Sequence, residues 1–171
     1  GDVDSDGDDD LVIPSGRGGR LSVFINNDGI FTEIKGSVTQ HDQTGVVIYT
    51  SSSGPEILVG HSNFESPGEE VSYIQGYKVE NNTLRETESI ETNLSSVGAL
   101  CMGDIDGDGD LDLFAGGRTI PGRYPEPASS ILFINEEDSF IPDVKNNSIL
   151  RELGLVTGAL LSLIHISEPT R

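Results

Sequence analysis

Ten aspartates in two short stretches carry the chemistry of this chain. Gly103-Asp104-Ile105-Asp106-Gly107-Asp108-Gly109-Asp110-Leu111-Asp112 places an acid at every second position, with Gly109 at the bend. A glycine turn curls such side chains inward around one point, because Gly takes backbone angles with φ > 0 that other residues resist. Carboxylates aimed at one point repel by roughly 4 kcal/mol per pair at about 4 Å and an effective dielectric near 20. A hard divalent cation removes that cost, and Ca²⁺ accepts six to eight oxygens in flexible geometry. The spacing therefore predicts a calcium loop: Asp104, Asp106, Asp108 and Asp112 bind by side chain, and Asp110 by its backbone carbonyl. The same device opens the chain as Gly1-Asp2-Val3-Asp4-Ser5-Asp6-Gly7-Asp8-Asp9-Asp10-Leu11. Asp2, Asp4, Asp6, Asp8 and Asp10 repeat the five ligand positions at an offset of 102 residues. One such loop alone could still be a solvated acidic turn. Two copies, each running into an apolar stretch (Leu11-Val12-Ile13 and Leu113-Phe114-Ala115), favour a cation site.

The loops are not EF-hands. An EF-hand needs a bidentate Glu at its twelfth position, where this chain has Ile13 and Ala115. Several converging protein carboxylates favour Ca²⁺ over Mg²⁺, which keeps its waters. Zinc is disfavoured because no Cys or His lies nearby.

The elements that must hold these loops are β-type. The 171 residues suffice for one ordinary domain, and the 21 glycines suit many tight turns. A repeat of roughly 50 to 56 residues runs along the chain: an entry strand, a loop, a second strand and a closing hairpin. The first unit, 1–43, lacks its entry strand. It keeps loop 2–10, Leu11–Ile13, Leu21–Asn26, a turn at Asn27-Asp28-Gly29, and Ile30–Ile34; Asp-Gly between apolar runs is a strong hairpin signal. The second, 44–92, has a decayed loop, Ser51-Ser52-Ser53-Gly54-Pro55-Glu56, where hydroxyls replace carboxylates and no metal is expected. Its hairpin Tyr73–Val79 turns at Asn81-Asn82. The third, 93–147, enters at Val97–Cys101, uses loop 104–112 and closes with Ile131–Asn135 and Phe140–Pro142. Phe24 and Phe31 are seven apart, as are Phe133 and Phe140, and Tyr77 and Leu84 keep that spacing. The first and third hairpins share Phe-Ile-Asn. Residues 148–160 read as the start of a further unit, with a short helical turn over Ser148–Leu153.

The loop-plus-strand unit resembles the FG-GAP repeat of integrin α-chain propellers and of bacterial VCBS-type repeat proteins, most closely in Asp104–Gly116. The run Gly116-Gly117-Arg118-Thr119-Ile120-Pro121-Gly122-Arg123-Tyr124-Pro125-Glu126-Pro127 is similar to the propeller of bacterial proteins carrying an ASPIC/UnbV domain, related to cartilage acidic protein. The resemblance covers about 1–160. It implies an all-β fold, a partial β-propeller of about three four-stranded blades, with the remaining blades elsewhere in a longer parent chain. It also implies an exported setting: extracellular, periplasmic or cell-surface. The tail 161–171 resembles the translation of a sequencing-library adapter and is set aside as artefactual.

Acids outnumber bases 29 to 10, for a net charge of −19. That balance disfavours nucleic-acid binding through phosphates, and no transmembrane run is visible. Eleven of those 29 acids sit in the two loops, so the charge is concentrated there. The functional expectation is a non-enzymatic calcium-binding scaffold presenting a protein- or glycan-binding surface. The alternatives are part of a polysaccharide-degrading propeller enzyme, using an acid such as Glu126 or Asp138, and a dockerin-like calcium module with helices after its loops. Arg118, Arg123 and Tyr124 occupy the longest loop; they either hold an acidic or sugar ligand or neutralise the metal loops. Arg17 and Arg20, in a shorter equivalent loop, are read the same way. His41 and His61 lack metal-ligand spacing and are expected at the surface. Cys101, the single cysteine, is expected buried and inert.

Overall fold

The computed structural model describes residues 1–65 and 72–162. The described residues are all-β apart from one four-residue helix, with eleven strands in three antiparallel sheets. Sheet one is β1 (Leu11–Ile13), β2 (Arg20–Asn27) and β3 (Ile30–Val38); sheet two is β4 (Asp42–Ser51), β5 (Gly54–Ser62), β6 (Tyr73–Glu80) and β7 (Thr83–Glu91). Sheet three is β8 (Ser96–Gly103), β9 (Asp112–Thr119), β10 (Ile131–Glu136) and β11 (Ser139–Pro142), followed by α1 (Val144–Asn147). Each sheet is a meander in which sequence neighbours pair. The helical turn thus falls just ahead of Ser148–Leu153, because Asp143 caps it by accepting from the backbone N–H groups of Lys145 and Asn146. No described helix is long and apolar enough to cross a membrane. The tail falls outside the described residues except for Leu161 and Ser162.

The last hairpin of every sheet turns through two residues with φ > 0: Asp28-Gly29, Asn81-Asn82 and Glu137-Asp138. Two-residue turns of that hand match the twist of the strands they join. The first two are legible from their Asp-Gly and Asn-Asn residues. The third is not, because Glu137 at the first turn position is a residue seldom found at positive φ. The Asp138 carboxylate, which accepts from the Ser52 backbone N–H at 2.9 Å, holds it against the β4–β5 turn.

Two apolar layers join the three sheets. Val23, Ile25 and Ile34 of sheet one pack with Ile57, Val59 and Tyr77 of sheet two. Leu58 and Ile74 of sheet two pack with Val97, Leu113 and Phe133 of sheet three. Alternate residues of β5 thus point to opposite layers, which is why Ile57-Leu58-Val59 is continuously apolar rather than alternating. Each fully buried aliphatic or aromatic side chain contributes roughly 1.5–3 kcal/mol. Like-placed strands meet across the layers: β4 lies against β8, and β3 against β7. At the first of these contacts the backbones nearly touch. A Cβ on Gly45 would sit 2.7 Å from both the Gly98 carbonyl oxygen and the Leu100 nitrogen, so only glycine fits there.

Candidate metal centre

Both aspartate loops connect antiparallel strands or lead into one, and both close the same way. Asp10 and Asp112, the last acid of each loop, are buried at the start of β1 and β9. The Asp112 Oδ2 accepts from the Ile105 N–H at 2.7 Å and Oδ1 from the Asn135 N–H at 2.9 Å. Asp10 does likewise with the Val3 N–H at 2.7 Å and the Asn26 N–H at 2.8 Å. One carboxylate therefore ties the mouth of the loop to the next strand of the sheet. The two asparagines complete the tie: the Asn26 Nδ2 donates to the Asp9 carbonyl at 3.1 Å and the Asn135 Nδ2 to the Leu111 carbonyl at 3.3 Å. Asn26 and Asn135 escaped the sequence reading as site residues. Their signal was the shared Phe-Ile-Asn, whose asparagine stands opposite no ligand position in the linear sequence.

Six of the remaining acids accept from the loop's own backbone. Asp2 takes the N–H groups of Ser5 at 2.6 Å and Gly7 at 3.1 Å; Asp104 takes that of Gly107 at 2.7 Å. Asp4 and Asp106 each accept from the N–H two residues on, at 3.2 Å, as do Asp6 at 2.8 Å and Asp108 at 2.9 Å. These bonds curl the loop, and residues with positive φ, Ser5 and Gly7 in one loop and Gly107 and Gly109 in the other, permit it.

The curl brings some carboxylates together and leaves others apart. Oxygens of Asp2, Asp4 and Asp10 lie within 4.8 Å of one another, as do those of Asp104, Asp106 and Asp108. Asp6 and Asp8 stand outside the first cluster, Asp110 and Asp112 outside the second. The Asp8 side chain instead accepts from the Asp28 N–H of the neighbouring hairpin turn at 2.9 Å. Desolvation, together with the charges of Asp6, Asp10 and Asp2, raises the Asp4 carboxyl; desolvation, together with Asp108, Asp112 and Asp104, raises Asp106. Asp2 is desolvated too, yet backbone donors led by Ser5 and Gly7 hold it below the ordinary range. An all-oxygen, multiply anionic donor set fits a hard cation of the calcium type.

Sheet two shows what stands where the acids are missing. Ile57 faces Tyr77 as Leu113 faces Phe133 and Leu11 faces Phe24. Glu56, one residue before Ile57, thus occupies the place of Asp10 and Asp112. Its partner is the ammonium of Lys78, 3.5 Å from Oε2 with both side chains largely buried. Lys78 also donates to Ser51 Oγ at 3.3 Å and to Ser53 Oγ, and Thr87 donates to Glu56. Lysine supplies the positive charge at this corner.

The other candidates separate cleanly. Arg123 pairs with Glu126 and Arg17 with Glu65, while Arg20 donates to the Gly36 carbonyl. Arg118 has no ion pair among the described residues and lies at the far end of β9 from the loop, so it does not neutralise the aspartates. His61 is not at the surface but 3% exposed, stacked on Tyr73 at 4.6 Å, because its strand is covered on both faces. Burial, then the charge of His41, lowers its pKa to about 4. Cys101 is half-buried rather than buried, on the β8 face away from the layer that takes Leu100; burial pushes its thiol up.

No protein-family model matches the chain, and neither a curated protein nor a solved structure matches it.

Proposed function

We infer that the chain is a calcium-braced, non-enzymatic piece of an FG-GAP-type β-propeller from an exported or cell-surface protein, presenting a protein- or glycan-binding surface. The observation that carries this is the recurrence of one architecture at two loops. A buried aspartate ties each loop to the neighbouring strand, and three carboxylates converge in each loop: Asp2 and Asp4 with the tying Asp10 itself, and Asp104, Asp106 and Asp108. The metal's role is structural: it neutralises the converged acids and stiffens the entry into β1 and β9. Affinities of extracellular calcium modules, about 10⁻⁴ to 10⁻³ M, suit an exported setting.

Successive sheets packed against one another, through β3 and β7 and through β4 and β5 against β8, support the propeller reading. So do Leu11 and Ile13, 49% and 45% exposed on the outer side of sheet one, where a preceding blade would sit. Strands rather than helices after both loops favour it over a dockerin-like module. The acids of the enzyme alternative have structural partners, Glu126 with Arg123 and Asp138 with Ser52.

The test is thermal melting of the full chain in EDTA and with about 1 mM Ca²⁺. A raised midpoint with Ca²⁺, abolished by Asp4→Asn with Asp106→Asn, is expected. An unchanged midpoint would end the structural-calcium reading.

A further inference from the structure

At the end of the sheets opposite the aspartate loops, a cleft of ≈ 510 Å³ opens between sheets two and three. Its walls include Asp42, Ser62, Phe64, Arg118, Thr119 and Tyr124. Arg118 stands six positions after Asp112 along β9, about 20 Å of strand, so the cleft lies beyond the strong field of the metal loop at ordinary ionic strength.

Four features of this cleft converge. Phe64 and Tyr124 are 54% and 73% exposed, two aromatic rings offered to solvent in a chain with few aromatics. Arg118 is an exposed guanidinium with no ion pair among the described residues, in a strongly acidic chain where Arg17, Arg85 and Arg123 all have carboxylate partners. Asp42 accepts the Arg17 N–H through Oδ1 at 2.8 Å, which leaves Oδ2 as an acceptor. Thr119, nine-tenths buried, has an Oγ1 with no partner among the described residues, and buried hydroxyls seldom lack one.

We propose that this cleft binds an acidic sugar unit, a uronate within a glycan. A pyranose carboxylate meets the Arg118 guanidinium, whose planar fork matches a carboxylate in a way an ammonium does not. The apolar face of the ring lies on Tyr124 or Phe64, rigid surfaces with little rotamer entropy to lose. Ring hydroxyls donate to Asp42 and exchange hydrogen bonds with Ser62 and Thr119. Its volume and its few convergent polar groups on aromatic walls are those of a small-ligand site. The assignment names the ligand class of the binding surface inferred above and rests on that reading of the chain as a scaffold. It does not rest on calcium, since none of these residues belongs to the loops.

The experiment is calorimetric titration of the full chain at about 0.15 M salt with three probes. These are a hyaluronan tetrasaccharide, which carries glucuronate; chitotetraose, which is uncharged; and a glutamate-rich peptide. Each is run in Ca²⁺ and in EDTA. Binding of the hyaluronan fragment about tenfold or more tighter than chitotetraose, reduced to the chitotetraose level in Arg118→Met and lost in Tyr124→Ala, supports the proposal. Both side chains are exposed, so both variants should fold, and a melting curve checks this. Absence of saccharide binding by the folded chain, equal affinity of Arg118→Met, or preference for the peptide overturns it. Sugar binding that persists in EDTA alongside a calcium-insensitive melt would refute the metal reading and leave the cleft standing.

Discussion

Replacing Asp112 by Asn, set against Asp106 by Asn, separates the two jobs that aspartates perform in one loop. Asp112 is fully buried, with one oxygen on the Ile105 N–H and the other on the Asn135 N–H. Asparagine keeps one acceptor and turns an –NH₂ toward the second N–H, so a buried donor faces a donor. Losing a hydrogen bond to a charged group costs about 1.5–3 kcal/mol, and stranding its buried partner about 1–3 more. The expected loss is about 3–5 kcal/mol, or roughly 10–15 °C in melting midpoint for a chain of this size. It should appear in EDTA and in Ca²⁺ alike. Asp106 is exposed and accepts only the Asp108 N–H, which an amide oxygen can also accept. Asp106→Asn should therefore move the EDTA midpoint by no more than about 0.5 kcal/mol equivalent, while lowering the gain from added Ca²⁺. Far-UV circular dichroism melts of the three proteins in both buffers decide it. Equal losses for the two variants in EDTA, or an Asp112→Asn protein that melts with the parent, would refute the division into tie and ligand.

Lys78→Met should cost about 3 kcal/mol by stranding Glu56, with no recovery on adding Ca²⁺, and the double variant with Glu56→Gln should regain part of the loss; chemical denaturation measures both. His61 gives a pH dependence whose sign follows from its lowered folded pKa. Stability is fully present above the unfolded value of 6.5 and is lost as pH falls toward about 4, by on the order of 3 kcal/mol at about 1.4 kcal/mol per unit. His61→Phe should flatten that stretch of the stability–pH curve in urea titrations. Gly45→Ala places a methyl group 2.7 Å from two backbone atoms of β8, so a midpoint drop worth at least about 2 kcal/mol is expected from differential scanning calorimetry.

The strands and the aspartate loops were legible because their signals are local. Period-two apolarity, Asp-Gly and Asn-Asn turns, and acids at alternate positions all act within a few residues. Whatever depends on a partner far along the chain was not legible. Asn135 matters because β10 brings it beside Asp112, and Lys78 because β6 brings it beside Glu56. His61 was misread because a lone histidine between Gly60 and Ser62 gives no hint that its strand is covered on both faces. The Glu137-Asp138 turn starts on a residue that disfavours its conformation, and the bond from the Ser52 N–H to Asp138 helps to hold it. Of the ten aspartates expected to bind metal, six converge in two groups of three. Spacing alone could not show that Asp10 both joins a cluster and ties its loop to the strand, while Asp112 only ties.

The middle sheet sits between two apolar layers, and this sets the order in which backbone amides should yield to solvent. Separating β1 from β2, or β11 from β10, opens one flank and leaves the rest intact, so those amides exchange their hydrogens through small local openings. Ile57, Leu58 and Val59 cannot be reached without parting both layers at once. Their amides should be the last to take up deuterium, at a rate that reports the opening of the whole molecule.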